Sequence, residues 1–112
     1  MQEFQAELCP KFHKAVEIIG RRWTGAVLRV LLDGATRFNQ LHDTIPGISD
    51  KMLSERLKEL ESEGIVRRVV VPSTPVRIEY HLTEMGQALR PVMEGIGAWA
   101  STWVEERRAD AA

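Results

Sequence analysis

At 112 residues the chain has room for one compact core and not for two ordinary domains, and its single cysteine excludes an internal disulfide and a multi-thiolate metal site. The net charge of −1 speaks against a uniformly basic nucleic-acid binder and shifts attention to where the charges sit. The opening MQEFQAELCP carries acidic residues where a signal peptide needs a basic region and an apolar run. No apolar stretch nears the roughly 20 residues that span a bilayer, so a soluble, cytoplasmic protein without membrane contact is expected.

Residues 1–9 are without periodicity and read as a loose lead-in. Pro10 suits the first turn of a helix, and Phe12, Ala15, Val16 and Ile19 supply its i, i+3, i+4, i+7 stripe up to Gly20. A second helix is expected over Arg22–Asp33, central to the core, with Trp23, Ala26, Val27, Val30 and Leu31 on one face. Gly34 stops it. Thr36 is placed to cap a third, shorter helix marked by Phe38, Leu41 and Ile45, and Pro46-Gly47 then signals a turn.

Ser49 stands where an N-cap belongs, with Ile48 before it and Leu53 positioned for a hydrophobic staple. The fourth helix, SDKMLSERLKELESEG, buries Leu53, Leu57 and Leu60 and ends at Gly64. Ile65–Val71 is β-branched, PSTP interrupts it, and Val76, Ile78, Tyr80 and Leu82 alternate with Arg77, Glu79 and His81: a hairpin. From Thr83 a long helix is expected to about Arg107, kinked or broken by Pro91, with Leu89, Val92, Met93, Ile96, Trp99, Ala100, Trp103 and Val104 on its stripe.

Two short helices meeting at a Pro-Gly turn, followed by a hairpin, make a helix-turn-helix with a wing. The second helix of such a pair reads the DNA major groove. Its polar face, Lys51, Ser54, Glu55 and Lys58, suits that role: lysine for phosphate or guanine, serine for either, glutamate for a cytosine amino group. The same face can equally be a solvated helix surface. Charge is polarised along the chain. Arg67, Arg68 and Arg77 face only Glu79 between Gly64 and Leu82, whereas beyond Thr83 Glu84, Glu94, Glu105, Glu106 and Asp110 outnumber Arg90, Arg107 and Arg108. Arginines beside a hairpin tip suit a DNA-contacting wing, and they also suit ordinary edge-strand protection.

The succession CPKFHKAVEIIGRRWTGAVLRVLL, RFNQL, IPGISDKMLSERLKELESEGIV and PVRIEYHLTEMGQAL, over residues 8–104, resembles the HxlR family of bacterial winged-helix transcriptional regulators. The resemblance implies a mainly α fold with a small β-hairpin, in one domain over 1–112. Within it, 11–19 and 83–107 would be dimerisation helices, 37–64 the helix-turn-helix and 65–82 the wing. It implies a homodimeric repressor or activator on double-stranded DNA. The DNA-facing set expected on this basis is Arg37, Ser49, Lys51, Met52, Ser54, Glu55, Arg56, Lys58, Arg68 and Arg77. The dimer contact would use Phe12, Val16, Val92, Met93, Ile96, Trp99 and Trp103, a stripe larger than a small winged helix needs to cover itself. Where the family commonly has Gly-Lys-Trp-Thr, this chain has Arg21-Arg22-Trp23-Thr24; a glycine-dependent backbone is then not expected at Arg21, which can add a phosphate contact.

Cys9 precedes Pro10 at a helix start, where free N–H groups favour a thiolate, with Lys11 and His13 nearby in sequence. Some members of the family sense quinones, aldehydes or oxidants through a cysteine in this setting, and the alternative is an inert cysteine packed at the dimer contact. His13, His42 and His81 lie on different elements and complete no metal spacing, so neither metal nor cofactor is expected. Rival functions are a winged-helix module for protein contacts, a regulator with a small apolar effector near Trp23, Trp99 or Trp103, and a thiol enzyme built on Cys9 and His13, for which no orienting third group is evident.

Overall fold

The computed structural model describes residues 7–105. Helices α1 (Pro10–Ile19), α2 (Thr24–Leu32), α3 (Phe38–Thr44) and α4 (Asp50–Ser62) are followed by strands β1 (Val66–Val71) and β2 (Arg77–Leu82), then by α5 (Glu84–Gln87) and α6 (Arg90–Trp103). The strands form one antiparallel hairpin in which Val66 faces Leu82 and Val71 faces Arg77. A winged helix-turn-helix results, mainly α with a small β wing.

The core is built on α2, which touches α1, α3, α4, α6 and β2. Val27, Leu28, Leu41, Leu53, Leu57, Leu60, Ile65 and Val66 are all buried. Complete burial of one such aliphatic side chain stabilises by about 1.5–3 kcal/mol. The leucines of α4 therefore fix which face of that helix turns outward.

Local chemistry sets the ends of α4. Gly47 takes a left-handed φ of +83° in the turn after α3. Two residues on, Ser49 Oγ accepts from the Met52 N–H at 3.1 Å, and Ile48 and Leu53 are both buried beside it. At the far end Gly64, at φ +80°, lets Ile65 N–H reach the Leu60 carbonyl and Gly64 N–H the Glu61 carbonyl, the Schellman pattern. Thr83 then ties the hairpin's base to that end: its Oγ1 donates to the Gly64 carbonyl at 2.6 Å and accepts from Gly86 N–H.

Three local expectations need correction. The second helix starts at Thr24, not Arg22, because Trp23 adopts a left-handed φ of 75° and cannot continue a helix backward. Such a conformation in an aromatic residue costs on the order of 1–3 kcal/mol and persists only where neighbours enforce it. At α3 the side chain that satisfies the free N–H groups is not Thr36: Gln40 Oε1 accepts from both Thr36 and Arg37 N–H at 3.0 Å. The break expected at Pro91 is found at Ala88-Leu89, because the proline ring cannot fit against a continuous preceding turn; what needs correction is the end of the closing helix. It stops at Trp103, where Val104 turns extended; Arg107 and residues 1–6 lie outside the described residues. Among the described residues no helix is long and apolar enough to cross a membrane.

Candidate nucleic-acid interface

On α4, Lys51, Ser54, Glu55 and Lys58 are all exposed, opposite the buried Leu53, Leu57 and Leu60. Their i, i+3, i+4, i+7 spacing makes a continuous polar ridge two turns long. Ser49 is exposed and, although its Oγ caps the helix, its hydroxyl proton is still free to donate. Met52 is half-buried and packs on the core, so it borders the ridge. Arg37 is exposed at the start of α3.

Arg56 does not belong to this surface. Its position, three residues after Leu53 and four before Leu60, puts it on the buried stripe, and it is only 8% exposed. Its Nε donates to the Arg22 carbonyl at 2.9 Å, and its Nη1 lies 2.8 Å from both carboxylate oxygens of Glu59. A guanidinium with these partners is turned inward. Arg21 pairs with the same carboxylate, its Nη1 3.0 Å from Glu59 Oε1, while its side chain stays more than half exposed. Arg22 stacks over the Trp23 ring at 5.1 Å.

On the wing, Arg67 and Arg68 are exposed and project to opposite faces of the hairpin. Arg77 comes with its charge balanced: its Nε donates to Glu79 Oε2 at 2.9 Å, while His81 Nε2 stands 2.8 Å from Glu79 Oε1. The hydrogen bond from His81, with the charge and hydrogen bond of Arg77, holds the Glu79 carboxyl below its ordinary value against an opposing effect of partial burial. Strand alternation carries this signal, since residues 77, 79 and 81 share one face.

A second surface lies on the outer helices. Phe12 and Val16 of α1, and Val92, Ile96, Trp99 and Trp103 of α6, are exposed, the two tryptophans by 62% and 71%. Each of the two helices thus leaves large apolar side chains uncovered. Met93 is the exception and a correction: it is 8% exposed and points into the core, near enough to α2 that a Cβ on Gly25 would meet its Cε at 3.8 Å. Cys9 is the exposed N-cap of α1, and its side chain makes no capping hydrogen bond. His13 pairs with Glu17, one turn further along the same helix. A groove of about 500 Å³ between α1 and α4 is lined by Lys14, Glu17, Arg21, Glu59 and Glu63 among others, and by none of the three tryptophans.

Sequence reading missed Glu59, Lys14 and Glu63 as structural partners. Lys14 Nζ reaches Glu63 Oε1 at 3.2 Å across 49 residues of sequence, which no periodicity reveals. Glu59 lies three residues after Arg56, a spacing that a search for helical ion pairs would have found.

The HxlR-like helix-turn-helix family matches residues 18–108. The transcriptional regulator YvaP of Bacillus subtilis is 50% identical over 101 residues, covering 90% of this chain and 94% of that one. YodB of the same organism is 50% identical over 98 residues, 88% of each chain. The structure of reduced YodB matches with a TM-score of 0.78 at 48% identity, over 91% of this chain and all of the other. The oxidised redox regulator HypR matches with a TM-score of 0.80 at 35% identity, over 88% of this chain and all of the other. With the wing, the turn and the exposed face of α4 in place and this match across most of its length, the chain belongs to the HxlR-like helix-turn-helix family of DNA-binding transcriptional regulators.

Proposed function

We propose that this regulator acts in the cytoplasm as a homodimer, without catalysis, and reads double-stranded DNA with α4. The observation that carries the proposal is the exposed ridge Lys51, Ser54, Glu55 and Lys58 on a helix whose other face is fixed by buried leucines. In this reading the exposed Ser49, Arg37 and Arg68 add contacts to the ridge, with Met52 and Arg77 as further members of the set. The exposed stripe of Phe12, Val16, Val92, Ile96, Trp99 and Trp103 supports pairing through α1 and α6, because apolar aromatics at 62% and 71% exposure are ordinarily covered. A two-fold dimer would present two reading helices to a pseudopalindromic site. Fluorescence anisotropy on a duplex from upstream of its own gene, against a scrambled duplex, tests this across a salt series. Preference for the native duplex with a steep salt slope supports it. Salt-independent, equal binding would favour a protein-contact module.

Cys9 is proposed as the input. YodB has been solved in diamide-treated and quinone-bound forms, and Cys9 of this chain is exposed at the head of α1. A quinone would accept the Cys9 thiolate at a ring carbon, forming an S–C bond and, after protonation, a hydroquinone thioether. Diamide would take two hydrogens from two thiols and become the hydrazine. With one cysteine per chain, the resulting disulfide must join two protomers or one protomer and an external thiol.

A further inference from the structure

We propose that Arg56, Glu59 and Arg21 form a clasp that positions the reading helix, by holding the Arg22–Trp23 peptide in the orientation that gives Trp23 its left-handed backbone. The inference rests on α4 being the reading helix. The Arg22 carbonyl, which accepts from Arg56 Nε at 2.9 Å, belongs to the peptide group whose rotation changes φ of Trp23. That φ is 75°, a conformation side chains rarely adopt unless the surroundings enforce it. The enforcement is visible. Arg56 grips the peptide from α4, Thr24 N–H bonds back to the Arg21 carbonyl at 3.0 Å, and Val27 N–H bonds to the Trp23 carbonyl at 3.0 Å.

Two consequences follow for α4. The left-handed residue aims the indole at the turn leading into the reading helix, so that a Cβ on Gly47 would lie 3.7 Å from Trp23 Cη2. Glu59 meanwhile joins both arginines, with Arg56 Nη1 at 2.8 Å and Arg21 Nη1 at 3.0 Å. One short turn therefore touches α4 before its first residue and again in its middle, and the Lys14–Glu63 pair ties α1 to its end. None of these groups faces the exposed ridge. A reading helix that tilts by a fraction of an ångström or more loses hydrogen-bond geometry to base edges, where donor–acceptor distances tolerate only a few tenths of an ångström. The same ties connect α1, with Cys9 at its head, to the helix that reads.

The test uses Arg56→Met, which keeps the side chain's length and apolar stem, Arg56→Lys, which restores one donor, and Glu59→Gln. DNA affinity is measured on a duplex that the wild-type protein selects from a random-sequence pool and on a scrambled duplex. On free protein, the intraresidue HN–Hα NOE and backbone chemical shifts of Trp23 report its positive φ. Arg56→Met is expected to lose the Trp23 signature and to lower the ratio of selected to scrambled affinity by at least about tenfold, the cost of one good base contact. Affinity for the scrambled duplex should be unchanged, because no phosphate contact is removed, a pattern that general loss of stability does not produce. Arg56→Lys should recover part of the ratio, and Glu59→Gln should lower it less than Arg56→Met. A folded Arg56→Met with the wild-type Trp23 signature, or with the wild-type ratio, overturns the clasp. If Arg56→Met does not fold, Glu59→Gln decides: a lowered ratio supports the clasp and a wild-type ratio overturns it. Lys51→Ala run alongside separates the two ideas, since full affinity in that variant would fault the choice of reading helix, whereas the Trp23 signature judges the clasp by itself.

Discussion

Gly86 packs directly under the carbonyl of Ile65: a Cβ at Gly86 would stand 2.3 Å from that oxygen and 2.9 Å from Leu82 Cδ2. The oxygen is backbone, already bonded by Thr83 N–H at 3.0 Å, and cannot swing aside like a side chain. Gly86→Ala should therefore destabilise by about 1–3 kcal/mol through overpacking, even though alanine favours a helix by nearly 1 kcal/mol. Urea denaturation checks this; an unchanged midpoint would mean that the wing's base shifts freely.

Trp103 is 71% exposed at the end of α6. If it is buried against a second copy, Trp103→Ala should weaken the dimer by about 2 kcal/mol or more, as truncation of a central aromatic does, with the protomer fold unchanged. Sedimentation equilibrium reads the dissociation constant directly. A dimer of unaltered strength would take Trp103 out of the interface.

The order of elements was legible because each is announced by local chemistry: Pro46-Gly47, the Ser49 cap and Gly64 bracket α4, and β-branched alternation marks the hairpin. Long-range partners were not. Arg56 reads as one more polar residue on a charged helix until its place between Leu53 and Leu60 is weighed, and its acceptor, the Arg22 carbonyl, lies 34 residues away. Met93 shares its apolar stripe with Val92 and Ile96, and periodicity cannot divide the part that faces the core from the part left exposed. The left-handed Trp23 was illegible because nothing in a tryptophan favours that backbone; tertiary contacts impose it.

Cys9→Ser should abolish the response of DNA binding to diamide and to a benzoquinone while leaving the reduced protein's affinity intact. Mass spectrometry of the treated wild-type protein should find either a covalent dimer or a single adduct, on Cys9 alone. A Cys9→Ser variant that still releases DNA on treatment would place the sensor elsewhere.

Because the Glu79 carboxyl is held below its ordinary value of 4.5, first by the hydrogen bond from His81 and then by Arg77, its pairing stabilises the fold fully above that value. The contribution is lost as pH falls through the lower folded value. Thermal melts below about pH 4.5 should show a steeper decline for the wild-type protein than for Glu79→Gln. Parallel declines would mean that the bridge of Arg77, Glu79 and His81 has no bearing on stability.

The most direct measurement of the reading surface is the salt dependence of operator binding in Lys51→Ala and Lys58→Ala. If each lysine meets a phosphate, each variant should bind more weakly and lower the slope of log affinity against log salt by about one unit, with its melting curve unchanged. Wild-type affinity and slope in both variants would contradict the account, because the exposed ridge of α4 would then be a solvated surface.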